Sequence, residues 1–518
     1  MFLSLIKILL YLIDIILESQ VLIMNAIYLC TIAQPWIEVS QKLSNELNIK
    51  SSYFVYWKAE KKQFLEANFE GCHLQTVDEA WKGLGFPKHT KRYIFDEEEL
   101  KIIASFELTA LKMMDRLDPD GESFPFTTRQ YFFRDLLGYW YSIVEEREID
   151  LVISPSIPHR VFDYALYTIC QIKNIKFLMF QMTPFGSNSI LIDNIDEMPK
   201  IDSTTIVNTC LSPVILNKIN MVLESYDKAI PEYMVKHEVN AKKNLTQLPL
   251  KTLRKVSKSY KFVTTKPNTY WVKQGCAPNE TEFSWLDFYK MQAKRNKKVE
   301  SFKDQYGKLT TSTFNDDLVL VALHYQPEET SCPTGGAYAD QILIIQLLDQ
   351  VLPQEIDIVI KEHKSQFYSH QEGASGRSKL YYRRLSQISN RVKLVSESEN
   401  PFNLIDKAKA VVTISGTIGW ESAIRGTPVI VFGRAWYENM PRVLKVKTRQ
   451  DLLNALENID ELKNKDLYPE ILYYHSQLER HFVKAKHYKA NLDKNDITMK
   501  DSITNIVKGI SDYLESRP

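Results

Sequence analysis

The sequence predicts an α/β protein of two doubly wound, parallel-sheet domains facing a cleft, with a helical bridging region between them. Three observations carry this. At 518 residues the chain exceeds the size at which one core stops growing, so two domains of roughly 150 to 250 residues are expected. Short β-branched runs alternate with amphipathic helical patterns in two separate stretches, 25–192 and 315–490, as doubly wound sheets require. The segment from Val411 to Tyr437, VVTISGTIGWESAIRGTPVIVFGRAWY, packs strand, turn, helix and strand into one short unit.

Residues 1–24 are strongly apolar, but Lys7, Asp14 and Glu18 fall on one helical face with Ser4 and Tyr11. That pattern fits an amphipathic helix on a membrane surface or a domain better than a spanning helix. It also fits an upstream extension of the reading frame, with Met24 beginning the first domain. No small-residue cleavage site marks a secretory signal.

In the first domain, Ala26–Cys30, Ser52–Trp57, Asp150–Ser154 and Lys176–Gln181 read as strands. Pro35–Leu47, Glu97–Leu117, Thr128–Glu146 and Val161–Ile172 read as helices. Ligands of such folds lie beyond the carboxyl ends of strands, which singles out the loops Thr31–Trp36, Ser154–Asp163 and Gln181–Phe185. The stretch 193–314 breaks the rhythm and reads as the bridging region. Its basic cluster Lys294, Arg295, Lys297 and Lys298 suits either a solvated helix face or contact with a polyanion.

The second domain opens on the apolar run DLVLVALH. The next strand ends on Glu362-His363-Lys364, Val392–Val395 follows, and Val411–Ile414 runs into Ser415-Gly416-Thr417. Three strands thus deliver His324 with Gln326, Glu362 with His363, and Ser415 with Thr417 to one carboxyl edge. The first N–H groups of a helix after such a turn lack intrahelical partners and favour an anion. Gly416 permits close approach, and Glu421, one turn on, reaches the hydroxyls of a ribose. The plainer alternatives are that Ser415 or Thr417 only caps the helix, that His324, Gln326 and His363 are satisfied polar groups, and that Gly335 and Gly336 only loosen a loop. Glu328 and Glu329 are either acids at the site or solvated side chains. A C-terminal helix is expected over 491–518.

Composition excludes several classes. Lys plus Arg is 65 against 64 for Asp plus Glu, so no charge excess points to nucleic acid. The six cysteines lack metal-ligand spacing and read as reduced thiols of a cytoplasmic protein. Cys332, in a polar loop, carries no mark of activation. No Asp-x-Asp pair follows a strand, so no metal site is expected beside a diphosphate, and no cofactor is expected.

The segments HYQPEETSCPTGG, IVIKEHK and TISGTIGWESAIRGTPVIVFGRAWY resemble the capsule polysaccharide biosynthesis family, which contains bacterial transferases of the sugar acid Kdo. Residues 310–440 carry most of the likeness, and IPHRVFDYALYTIC is its best N-terminal part. The resemblance implies a metal-independent glycosyltransferase of GT-B type. It would take a nucleotide-sugar donor, CMP-linked as in that family, and a glycan or glycolipid acceptor, with peripheral contact at the inner membrane. It implies that His363, Ser415 and Thr417 hold the donor phosphate and that Gln326-Pro327 matches the family's Gln-Pro pair. His363-Lys364 stands where the family has His-Pro. The acid or base is expected on the N-terminal domain, with Asp163 and His159 as candidates; the alternative for Asp163 is a charge satisfying the helix dipole. A nucleotide-sugar epimerase and a non-catalytic polysaccharide-binding or export factor are the rival classes.

Overall fold

The structure, a computed structural model, describes residues 23–31, 33–57, 62–201, 210–230, 234–236, 238–239, 271, 284–368 and 371–516. Residues 1–22 of the apolar segment, Cys276 and much of the bridging stretch lie outside the described residues. Among the described residues no helix is long and apolar enough to cross a membrane.

Two sheets form, one per domain. The strands of the first stretch are β1 (Met24–Thr31), β2 (Ile49–Tyr56), β3 (His73–Thr76), β4 (Ile149–Ser154), β5 (Lys176–Met182) and β6 (Asn188–Ile192). Those of the second are β7 (Leu318–Ala322), β8 (Asp357–Lys361), β9 (Val392–Val395), β10 (Ala410–Thr413), β11 (Val429–Val431) and β12 (Val443–Lys445), followed by β13 (Phe482–Lys484). The second sheet runs β12-β11-β10-β7-β8-β9, parallel throughout. Renumbered from its first strand, this is the 3-2-1-4-5-6 order of a dinucleotide-binding fold, with its switch point between β7 and β10. The first sheet runs β13-β6-β5-β4-β1-β2-β3 and switches between β1 and β4. Its last two strands pair antiparallel.

The strand sequences are apolar throughout because both faces are covered. Leu318, Leu320, Val411, Val429 and Val431 enter one core, while their neighbours Val319, Val321, Val412 and Ile430 enter another. The first of these cores continues into the N-terminal domain through Trp420, Trp436 and Phe185. The two domains therefore share apolar packing below the cleft.

One expectation about organisation is corrected. The second domain does not extend to 490, because Phe482–Lys484 is already a strand of the first sheet, paired with Asn188–Ile190. The C-terminal helix, Met499–Ser516, packs its buried Ile503, Ile506, Val507 and Ile510 with Trp36 and Leu43 of the helix Ala33–Leu47. Phe482–Lys484 is three residues long and carries too little periodicity to be read from sequence.

The bridging region contributes one long helix, Trp285–Leu309, begun by a Ser284/Asp287 capping box. Its basic residues are largely engaged within the protein. Lys294 lies 3.5 Å from Asp120 of the first domain and Lys303 3.6 Å from Glu397 of the second. Arg295 is buried over the Trp271 ring. This is the ion-paired helix face, and the polyanion contact gains no support.

Ile506 is fully buried between the returning tail and the first sheet. Ile506→Ala is expected to destabilise the protein by about 2–5 kcal/mol, read from its urea midpoint; an unchanged midpoint would show that the tail is not part of the first domain's core.

Candidate functional site

The turn after β10 is fixed from inside by His324, which lies two residues past β7. Its Nε2 accepts from Ile414 N–H at 3.1 Å and Ser415 N–H at 3.3 Å, and sits 2.9 Å from Thr413 Oγ1. A ring accepting at Nε2 is neutral, and burial, followed by His363 and Arg377, pushes its pKa down to about 3. A Cβ at Gly416 would meet His324 Cε1 at 3.1 Å and Thr413 Oγ1 at 3.2 Å, so a side chain here would press on the imidazole. The close approach that this glycine permits is thus to the imidazole. Ser415 is likewise turned inward, its hydroxyl donating to Thr330 O at 2.6 Å.

Beyond the turn, Gly416 is the N-cap of the helix Thr417–Ile424, without a side-chain cap bond. Gly426, at φ 97°, follows its end as expected of a helix stop. Among the described residues, the N–H groups of Thr417 and Ile418 have no acceptor. They border a cavity of about 170 Å³ whose lining includes His324, Glu328, Thr330, Lys361, His363, Lys364, Thr417 and Glu421. That volume is below the range of about 300–1,000 Å³ typical of a whole small-molecule site, so it suits a phosphate with part of a sugar. Tyr226 and Met234, from the bridging stretch, close one wall. A separate depression of about 540 Å³ between the helices Ile342–Val351 and Lys379–Ser386 involves none of the expected residues.

His363 behaves as a neutral donor. Its Nδ1 accepts from Ser365 N–H at 3.2 Å, which places the ring proton on Nε2, an assignment from the hydrogen-bond network. Burial, then Lys361 and Arg377, lowers its pKa to about 4. Lys361, brought to about 8 by burial and then by Lys364, spends one N–H on Glu397 O at 3.0 Å. Burial raises Glu421 to about 7 against the pull of Lys218 and Arg425, and it raises Glu328 against Thr330 and Arg116.

Glu362 and Gln326 are frame residues and not open ligands. The Glu362 carboxylate, fully buried, accepts from Arg377 Nε at 2.7 Å and Tyr382 OH at 2.8 Å. Arg377 also donates to Gln326 Oε1 at 2.8 Å and His324 O at 2.9 Å. Burial opposes the guanidinium charge, but Glu362, Tyr381 and Tyr382 more than offset it and hold the pKa above its ordinary value. Gln326 Nε2 is occupied by Ala339 O at 2.5 Å. Arg377 escaped the sequence reading because a lone arginine in a polar loop carries no periodicity; only the demand for a cation opposite a strand-end Glu would have pointed to it.

On the first domain, Asp163 is fully buried at the third position of the helix Val161–Lys173. Its oxygens accept from Arg160 N–H at 2.6 Å and Arg160 Nη1 at 3.1 Å. Burial lifts it to about 6, opposed by Arg160. It is the helix-start charge and is not exposed to the cleft. His159 lies in the loop after β4, and its Nδ1 is 3.3 Å from Glu329 Oε2 of the second domain. Cys332 is buried, and burial pushes its thiol up to about 12, so it is unreactive. Among the described residues no group of three or more His, Cys, Asp or Glu is placed to hold a metal ion.

The comparisons add a family. Residues 288–478, most of the second domain and the site above, match the family described as capsule polysaccharide biosynthesis protein. This part of the chain is similar to that family. No curated protein matches the chain. Among solved structures, "Thermosulfurimonas dismutans KpsC, beta Kdo 2,7 transferase" is similar at 10% identity, over 80% of this chain and 97% of that one, with a TM-score of 0.28. A UDP-GlcNAc 2-epimerase from Methanocaldococcus jannaschii is similar at 13% identity, over 88% of this chain and 99% of that one, with a TM-score of 0.24. With TM-scores this low, neither structure bears on what this chain does. The SGT turn, His363 and Lys364 lie inside the matched residues.

Arg377→Leu would leave a buried carboxylate unpaired and is expected to cost about 3–5 kcal/mol. An unchanged urea midpoint would show that this ion pair does not support the site.

Proposed function

We propose that the protein is a glycosyltransferase of capsule or surface polysaccharide biosynthesis. It transfers a sugar, Kdo or a related sugar acid from a CMP donor, to a glycan or glycolipid acceptor. The observation that carries this is the convergence at one cavity, inside a capsule-family segment, of the unpaired Thr417 and Ile418 N–H groups, the His363 Nε2–H donor and the Lys361 and Lys364 ammonium groups. Fixed donors and cations of this kind stabilise the charge that gathers on a departing phosphate.

In this reading the acceptor oxygen attacks the anomeric carbon while the bond from that carbon to the phosphate oxygen breaks. The electron pair leaves on the phosphate, held by the helix N-terminus, and the acceptor proton passes to His159 Nε2. Glu421, four residues past Thr417, serves the ribose. The work is done in the cytoplasm, at the inner face of the membrane when the acceptor is a glycolipid.

A panel of CMP- and UDP-sugars tested by thermal shift is expected to yield one that stabilises the protein, by about 2.7 kcal/mol at a hundredfold excess over Kd. His363→Ala and Lys364→Ala are each expected to weaken its binding about tenfold, or about 1.4 kcal/mol. A panel without a hit sinks the transferase reading, and an isomerised sugar from donor alone replaces it with an epimerase.

Acidification should tighten donor binding. Glu421 loses its charge as pH falls through about 7, and Lys361 gains its own as pH falls through about 8; both changes favour an anion. Kd measured by calorimetry is therefore expected to fall severalfold from pH 8.5 to pH 6. Glu421→Gln is expected to flatten the lower part of that curve, and an equally steep curve in this variant would contradict the assignment.

A further inference from the structure

The two switch points do more than face each other. His159, after β4, and Glu329, in the loop after β7, meet across the domain interface with Nδ1 and Oε2 3.3 Å apart. The same Nδ1 is 2.7 Å from Ile157 O, so the ring proton sits on Nδ1 and the lone pair on Nε2. Among the described residues, Nε2 has no hydrogen-bond partner.

Glu329 is held ready for this contact. Its carbonyl accepts from Thr334 Oγ1 at 3.0 Å. Among the described residues its carboxylate has no ion-pair partner but His159. Arg116 clamps the two loops together, donating to His159 O at 3.4 Å and Pro327 O at 3.1 Å. The adjacent Glu328 lines the donor cavity, and the same loop carries Glu329 to the interface with the first domain.

We propose that Glu329, carried by the donor-binding domain, is a positioning residue that orients His159 of the opposite domain as the base for the acceptor hydroxyl. The base is then complete only where the two domains meet. Ile157 O fixes the tautomer that leaves Nε2 free, and a carboxylate 3.3 Å from Nδ1 holds the ring in place and stabilises the imidazolium formed when Nε2 takes a proton. The proton moves from the acceptor oxygen to Nε2, the oxygen bonds to the anomeric carbon, and the phosphate leaves with the electron pair. This inference rests on the transferase reading for its reaction, though not for its geometry.

Two measurements on the full chain test it. In the first, diethyl pyrocarbonate, which labels unprotonated imidazole nitrogen, is applied at pH 7 and the labelled histidines are mapped by mass spectrometry. His159 is expected to react in the wild type and at least threefold more slowly in Glu329→Gln, with the other histidines unchanged. An unchanged His159 rate overturns the inference whether or not the protein turns over any nucleotide sugar.

The second is kinetic, with the nucleotide sugar found by the panel. Glu329→Gln is expected to lower kcat about tenfold or more with the donor KM within twofold, and Glu329→Asp to recover part of the loss. His159→Gln combined with Glu329→Gln is expected to be no slower than His159→Gln alone, since one residue acts through the other. Losses that multiply overturn the positioning role. If the wild type turns over no nucleotide sugar, the transferase reading falls and the labelling result alone decides the dyad.

Discussion

One uncharged imidazole organises the site. His324 Nε2 receives two successive backbone N–H groups of the turn after β10. A protonated ring would aim a third N–H at those two, so charging it breaks the turn. The N–H groups of Ile414 and Ser415 are therefore spent, and the open donors lie further on, Thr417 and Ile418 among them. The same contact explains Gly416, since any Cβ would press on the ring. A constraint at the end of one strand thus decides which backbone atoms of the neighbouring strand's turn reach the ligand.

Around that imidazole lies a polar frame with little freedom. Arg377 ties the carbonyl of His324, the amide of Gln326 and the carboxylate of Glu362 together. Tyr306 of the bridging helix accepts from Glu362 N–H at 3.1 Å and donates to Val395 O at 2.5 Å. Desolvating these groups is costly, and breaking one contact leaves another charge unpaired. The return is preorganisation: His363, Lys361 and Lys364 stand on a strand end that does not need to move when charge develops. The bridging helix, ion-paired to both domains, couples this frame to the domain that carries His159.

Much of this was legible in the sequence. β-branched runs located nine of the strands closely, and their order delivered the chemistry-bearing residues to one edge, because parallel strands buried on both faces must be apolar throughout. The direction of individual side chains was not legible. Spacing cannot say that the Ser415 hydroxyl turns to Thr330 while Thr417 faces the cavity, or that Asp163 spends both oxygens on Arg160. Partners remote in sequence were also hidden. Arg377 with Glu362 and Glu329 with His159 are brought together by tertiary packing alone, as is Phe482–Lys484, three residues that complete a sheet begun at Met24.

The central claim is that the helix N-terminus after β10 holds the donor phosphate. A crystal structure with CMP, or with the sugar nucleotide found to bind, tests it most directly. The account predicts a phosphate within hydrogen-bond distance of Thr417 N, Ile418 N and His363 Nε2, with His324 still accepting from Ile414 and Ser415. A phosphate bound elsewhere, or one that displaces His324 to take those two N–H groups, would contradict it.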